Sequence, residues 1–346
     1  MTDSPISPIV RLDNVSKTFT TRGRNSRTVH ALDSLTFHVG RGELLAVLGP
    51  NGAGKTTAIN VLSTLEAPDS GTASVDGHDV VADPGAVREA IALTGQFAAV
   101  DEELTGRENL VFFGRLRGLP KSDARARADS LLADLSLTEA GDSLVRTYSG
   151  GMRRRLDIAA SMMSVPTVLF LDEPTTGLDP HARTELWDVV RGLKNQGVTI
   201  LLTTQYLEEA DQLADRIVVI DHGTVIAEGT AEELKSRLGP TDLVLTPEDP
   251  ADRERLLTEL APWAPTAGQD GTPADPAASA DSAGTVAVPL TDGARTAAAV
   301  MQAVGASGIA LAGMTMGTRT LDDVFFALTG RPTAEEREND AAEVDQ

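Results

Sequence analysis

The chain has 346 residues, 41% of them hydrophobic, a formal charge of -21 and no cysteine. That length exceeds what one core usually fills, so more than one domain is expected. The missing cysteine excludes disulfides, thiol catalysis and Cys-ligated zinc, and the acidic balance argues against nucleic acid as a partner and against direct lipid insertion or adsorption.

No apolar run reaches the roughly 18 residues of a membrane-crossing helix. The start Met1-Thr-Asp-Ser-Pro lacks a signal peptide's charged and apolar regions, so a cytoplasmic chain is expected. Residues 8–48 alternate like strands of a small antiparallel sheet, with a polar turn over 22–28. Arg22, Arg24 and Arg27 in that turn read as a solvated hairpin tip rather than a binding patch.

Residues 43–48 read as a short buried strand and 55–65 as a helix. Between them Gly49, Pro50, Asn51, Gly52, Ala53, Gly54, Lys55, Thr56 and Thr57 fill the pattern G-x-x-x-x-G-K-[ST]. Such a loop wraps backbone amides around nucleotide phosphates, aims Lys55 at the β and γ oxygens and places the Thr56 hydroxyl on Mg2+. The positive end of the helix would face the phosphate.

After an apolar strand at 90–94 the period changes: Val111, Phe112, Leu116 and Leu119, then Leu131, Leu132 and Leu135, recur at helical spacing. A helical subdomain is expected at about 104–163. Near its end Tyr148-Ser-Gly-Gly-Met-Arg153 is a glycine turn opening a helix, where Ser149, Gly150 and Gly151 leave backbone amides for a second anion site.

The apolar run 168–171 reads as a buried parallel strand ending in Asp172 and Glu173. Carboxylates there project into the crevice where such sheets hold ligands. Asp172 is expected to hold Mg2+ and Glu173 to orient and deprotonate an attacking water. Three strand–helix steps, through Asp172, Gln205 and residues 216–220, imply a parallel sheet with covering helices.

A boundary is expected near Gly239-Pro240, giving one domain over 8–239. Strands at 243–245, 286–288 and 309–316 and helices near 252–260 and 295–304 suggest a small C-terminal α/β domain over 240–330. Its stretch 261–284, rich in Pro, Ala, Asp and Gly, reads as a mobile loop, and 331–346 as an acidic disordered tail. Residues 240–346 carry 18 acidic and 6 basic side chains, so much of the negative charge lies there.

The turn Tyr148-Ser-Gly-Gly-Met-Arg153 and its helix resemble the signature motif of ABC-transporter ATPases. The phosphate loop, Leu104-Thr-Gly-Arg-Glu-Asn-Leu110, residues 203–216 and the terminal stretch 321–330 are similar to the daunorubicin-resistance type of ABC ATP-binding subunit, over roughly 9–330. The resemblance implies a P-loop ABC ATPase core with an antiparallel β subdomain and a helical subdomain. It implies two copies sandwiching ATP head to tail, each signature facing the other copy's phosphate loop.

It also implies roles for single residues. Phe19 would stack on adenine, Gln96 would sense the metal and touch a transmembrane partner, and Asp179 in Thr176-Gly-Leu-Asp179 would cross the dimer. Gln205 stands where the family usually has a histidine. It can donate a hydrogen bond to a γ-phosphate but can neither take up a proton nor carry a positive charge, which moves base catalysis towards Glu173. Met152 replaces a usual glutamine and leaves the glycine turn intact.

The function implied is ATP hydrolysis that powers a separately encoded membrane permease, with export of a hydrophobic drug or antibiotic, at the cytoplasmic face of the membrane. The competing reading is a soluble ABC ATPase of DNA repair, chromosome maintenance or translation. Cysteine pairs, a long coiled coil or a second cassette would mark those, and none is present. A kinase or GTPase sharing only the phosphate loop leaves the Ser149-Gly-Gly turn unexplained.

Overall fold

The computed structural model describes residues 8–20, 28–95, 99–239, 241–263, 285–317 and 319–330. Gln96, the three arginines of the 22–28 turn, most of the stretch 261–284 and the tail 331–346 lie outside the described residues.

Strand β1 (Val10–Thr20) pairs antiparallel with β2 (Thr28–Val39), Val10 opposite Val39 and Phe19 opposite Val29. The expectation that residues 8–48 form one antiparallel sheet fails at β3 (Leu44–Leu48), which joins a different, central sheet. Its five residues are all buried, so it needs cover on both faces, which a half-solvated antiparallel sheet does not provide. The antiparallel sheet is completed by β4 (Ser70–Val75) and β5 (His78–Asp79), in the order β2-β1-β4-β5.

Helix α1 (Lys55–Leu62) stops short of Leu65: Ser63 caps it through a bond to Ile59 O, and Thr64 takes φ 66°. Asp83 caps α2 (Pro84–Ala90), which leads into β6 (Ile91–Thr94). Next come α3 (Gly106–Leu116), α4 (Lys121–Asp134) and α5 (Gly150–Ser161). Helix α3 begins ahead of its apolar periodicity because Thr105 and Glu108 form a reciprocal capping box that satisfies two otherwise orphaned amides.

The remainder alternates: β7 (Val168–Asp172), α6 (Pro180–Asn195), β8 (Thr199–Thr204), α7 (Leu207–Leu213), β9 (Arg216–Asp221), β10 (Thr224–Gly229) and α8 (Ala231–Ser236). The central sheet runs β10-β9-β3-β8-β7-β6, parallel except at β10. It is buried on both faces: Leu169 and Leu171 of β7 enter one core with Leu156 and Trp187, while Val168 and Phe170 enter another with Leu12 and Ile59. The carboxyl ends of neighbouring β3, β8 and β7 thereby lie side by side.

The chain divides into two compact units between Glu232 and Glu233, inside α8 and ahead of Gly239, and the second unit runs to Ala327. It contains β11 (Asp242–Pro247), α9 (Arg253–Leu260), β12 (Val286–Pro289), α10 (Ala294–Ser307) and β13 (Leu311–Gly317), and α11 (Leu321–Thr329) follows. Its antiparallel sheet, β12-β11-β13, packs Leu243 and Leu245 against Leu256 and Val300. Among the described residues no helix is long and apolar enough to cross a membrane.

Candidate active site

The turn after β3 is shaped by a glycine that no other residue can replace. Gly54 takes φ 109°, and a Cβ on it would fall 2.4 Å from Ala31 O. The loop closes around Lys55, whose buried Nζ donates to Gly49 O at 2.7 Å and Pro50 O at 3.1 Å and pairs with Glu173 Oε1 at 3.0 Å. Glu173 reaches that lysine from the end of β7 with φ 46°, a left-handed conformation that costs a glutamate on the order of 1 kcal/mol.

The neighbouring β8 holds this turn in place. Glu173 N donates to both the carbonyl and the hydroxyl of Thr203 at 3.1 Å, and that hydroxyl donates to Asp172 Oδ1 at 2.6 Å. Thr56 Oγ1 donates to the same carboxylate oxygen at 3.3 Å. Thr203, fully buried, is a site residue that sequence reasoning missed; the signal was a threonine pair directly after the apolar residues 200–202 of β8.

Thr56 and Asp172 offer two hard oxygens at one point, a donor set that suits Mg2+, which takes one or two protein oxygens and completes its shell with water and phosphate. Among the described residues no group of three or more His, Asp or Glu side chains could cage an ion.

Two clefts share Asn51 and Glu173. The smaller, about 310 Å³, is lined by Val29, Ala31, Gly52, Lys55, Thr56 and Thr57. The larger, about 680 Å³, adds Gly150, Arg153, Leu178 and Gln205. Phe19 stands beside Val29 in the strand register, 38% exposed, with Lys17 Nζ 5.5 Å from its ring centre. The Gln205 side chain is half-buried and makes no hydrogen bond among the described residues.

At the start of α5 the Ser149 hydroxyl accepts from Met152 N at 3.2 Å, capping its own helix. A Cβ on Gly151 would lie 2.8 Å from Ala182 Cβ, so α5 and α6 touch backbone to side chain there. Asp179 caps α6 by accepting from Ala182 N at 2.9 Å. Gln96 cannot be placed relative to these groups, since it lies outside the described residues.

Four residues after Gln205, the fully buried Glu209 accepts from Trp187 Nε1 at 3.2 Å. Burial pushes its carboxyl above the usual range; Thr204, Thr175, Trp187 and Arg183 oppose this by favouring the charged form. Neither threonine makes a hydrogen bond to it: Thr175 Oγ1 and Glu209 Oε2 have no partner among the described residues, and Thr204 Oγ1 accepts from Tyr206 N at 2.9 Å and donates to Tyr206 O at 3.5 Å.

Comparison with known proteins agrees with this architecture. The ABC transporter family model matches residues 32–176. The daunorubicin/doxorubicin resistance ATP-binding protein DrrA of Streptomyces peucetius is 49% identical over 316 residues, 90% of this chain and 92% of that protein. The daunorubicin resistance ATP-binding protein DrrA3 of Streptomyces coeruleorubidus is 52% identical over 300 residues, 87% of this chain and 91% of that protein. The dimeric post-hydrolysis structure of the ATP-binding cassette MJ0796 with ADP and Pi superposes with a TM-score of 0.57 at 25% identity, covering 64% of this chain and 98% of that one. The soluble-ATPase alternative is thereby not favoured. The chain belongs to the ATP-binding proteins of ABC transporters, among those of the DrrA type, and is an ATP-hydrolysing transporter subunit.

Proposed function

We propose that this chain powers export of a hydrophobic drug or antibiotic through a separately encoded membrane permease, which holds it at the cytoplasmic face of the membrane. Two copies close head to tail on ATP, and hydrolysis opens them. The observation that carries the reading is the meeting of Lys55, Thr56, Asp172 and Glu173 at the carboxyl ends of β3 and β7, the two strands that flank β8, beside a cleft that also holds Gly150 and Gln205.

In this reading the amides of 49–57 bind the phosphates and Phe19 meets the adenine. Lys55 exchanges its Glu173 partner for the γ-phosphate, since one ammonium cannot serve both carboxylate and phosphate fully. Released, Glu173 takes the proton of the attacking water on its carboxylate. Gln205 donates a hydrogen bond to the γ-phosphate, and Ser149, Gly150 and Gly151 present amides to the nucleotide of the other copy. Thr56 and Asp172, with Gln96, would hold Mg2+, which neutralises phosphate charge when bound.

The test uses Glu173→Gln and inside-out vesicles carrying the chain with its permease. The parent should accumulate daunorubicin only with ATP. The variant should keep ATP binding, hydrolyse about 10²-fold more slowly or worse, elute as a dimer with ATP and Mg2+, and accumulate nothing. Normal hydrolysis, or a monomer under those conditions, would overturn the base and the sandwich.

A further inference from the structure

Helix α5 carries a buried ion pair that the chemistry described so far does not use. The Arg154 side chain, about 8% exposed, points its guanidinium at three main-chain carbonyls. Nε donates to Pro174 O at 3.0 Å, Nη2 to Asp172 O at 3.2 Å, and Nη1 to Gly95 O. Asp172 and Pro174 flank Glu173 in the chain. Gly95 directly precedes Gln96.

One turn along, Asp157 is equally buried, with its Oδ2 3.7 Å from Arg154 Nη1. Its Oδ1 accepts from Ala99 N at 2.9 Å. The pair therefore grips the main chain on both sides of Glu173 and also holds Gly95 and Ala99. Burial works against both charges, lowering the affinity of Arg154 for its proton and raising that of Asp157, and each partner offsets this for the other.

A helix packed only for stability would fill this volume with apolar side chains, since a buried pair is no better than hydrophobic packing unless every donor is used. Here the donors go to carbonyls and the acceptor to an amide, which are rigid parts of the backbone. A shift of Gly95 must then move either the guanidinium or its other two partners, and a shift of Ala99 bears on the guanidinium through Asp157.

We propose that Arg154, braced by Asp157, is a positioning residue that sets the main chain around Glu173 and ties it to Gly95 and Ala99. The proposal rests on the reading of Glu173 as the base and of the chain around Gln96 as the permease-facing surface. A change at that surface then reaches the base through one side chain.

The absence of cysteine provides the experiment, because Ala99→Cys, at an exposed position, creates a single thiol for an environment-sensitive fluorophore. Arg154→Gln should lower kcat about 10-fold while the KM for ATP stays within about 2-fold, a split expected of misplaced chemistry rather than lost binding. In a Glu173→Gln background it should cost nothing further, because both changes act on the same base. The ATP-induced emission change at position 99 should be lost in Arg154→Gln.

If Arg154→Gln fails to fold, Asp157→Asn keeps the Ala99 acceptor but loosens the brace, and it should lower kcat in the same way to a smaller extent. Parent-like kcat and emission response in either folded variant would overturn the proposal. The two layers fail separately: normal hydrolysis by Glu173→Gln overturns the base and this proposal with it, whereas a slow Glu173→Gln beside a parent-like Arg154→Gln overturns this proposal alone.

Discussion

The side of the cleft built by β3 and β7 and the side built by the end of β8 and the start of α5 are prepared in opposite ways. On the first, charge is already matched: Lys55 lies against Glu173, and Asp172 accepts from two hydroxyls. On the second, the Gln205 amide has no hydrogen bond among the described residues and Ser149 uses its hydroxyl on its own helix. The difference follows from desolvation. A buried ammonium needs a counter-charge at all times, so Glu173 stands in for phosphate, whereas a half-exposed neutral amide rests in water at little cost.

The comparison breaks most easily at Lys55. Lys55→Ala should abolish hydrolysis, a fall of at least ~10³-fold, because the phosphate loses its fixed cation and Glu173 its partner. Parent-level ATPase activity in the purified variant would refute the assignment of the charged side.

Gln205 probes the neutral side and should weigh less. Gln205→Ala should slow hydrolysis by about 5- to 30-fold, the worth of a hydrogen bond of ~1 to 2 kcal/mol. Because an amide does not titrate, the parent pH profile should lack a limb from this position, and Gln205→His should add one near the ordinary histidine range. An unchanged rate in Gln205→Ala would make this residue a spacer and leave the neutral side without its donor.

The smallest effect is one of stability and concerns Glu209, which underlies the neutral side. A carboxyl raised by burial keeps its proton in the folded chain at pH values where the unfolded chain has released it. Stability therefore falls as pH climbs from the ordinary carboxylate range to the raised value, and stays lower above it. Glu209→Gln removes that dependence while keeping an acceptor for Trp187, so its melting temperature should match the parent's in acid and exceed it increasingly as pH rises above the ordinary carboxylate range. A gap that does not widen with pH would show that burial does not raise the Glu209 carboxyl in the folded chain.

Much of the charged side was legible because its signals are local. The spacing from Gly49 to Thr57 implies a loop, and Asp172 and Glu173 end an apolar run. The parts that escaped are contacts between segments far apart in the chain. Thr203 looked like one more strand residue until its hydroxyl was seen linking Asp172 to Glu173. Arg154 sits in a run of three arginines, a pattern that usually marks a solvated helix face, and only the fold shows that it turns inward to Pro174 and Asp172.

The departure of β3 from the antiparallel sheet was readable in principle from five apolar residues in a row, against the alternation of β1 and β2. The early start of α3 was written as Thr105 and Glu108, a cap signal that periodicity does not register.

The contact between Gly151 and Ala182 has a mechanical consequence. With no room for a single added carbon between them, α5 and α6 cannot slide past one another, and a rotation of one must carry the other. Ser149 and Asp179, the capping residues of these two helices, then travel as points on one lever. A force applied at the signature turn arrives at Asp179 as displacement rather than as slack.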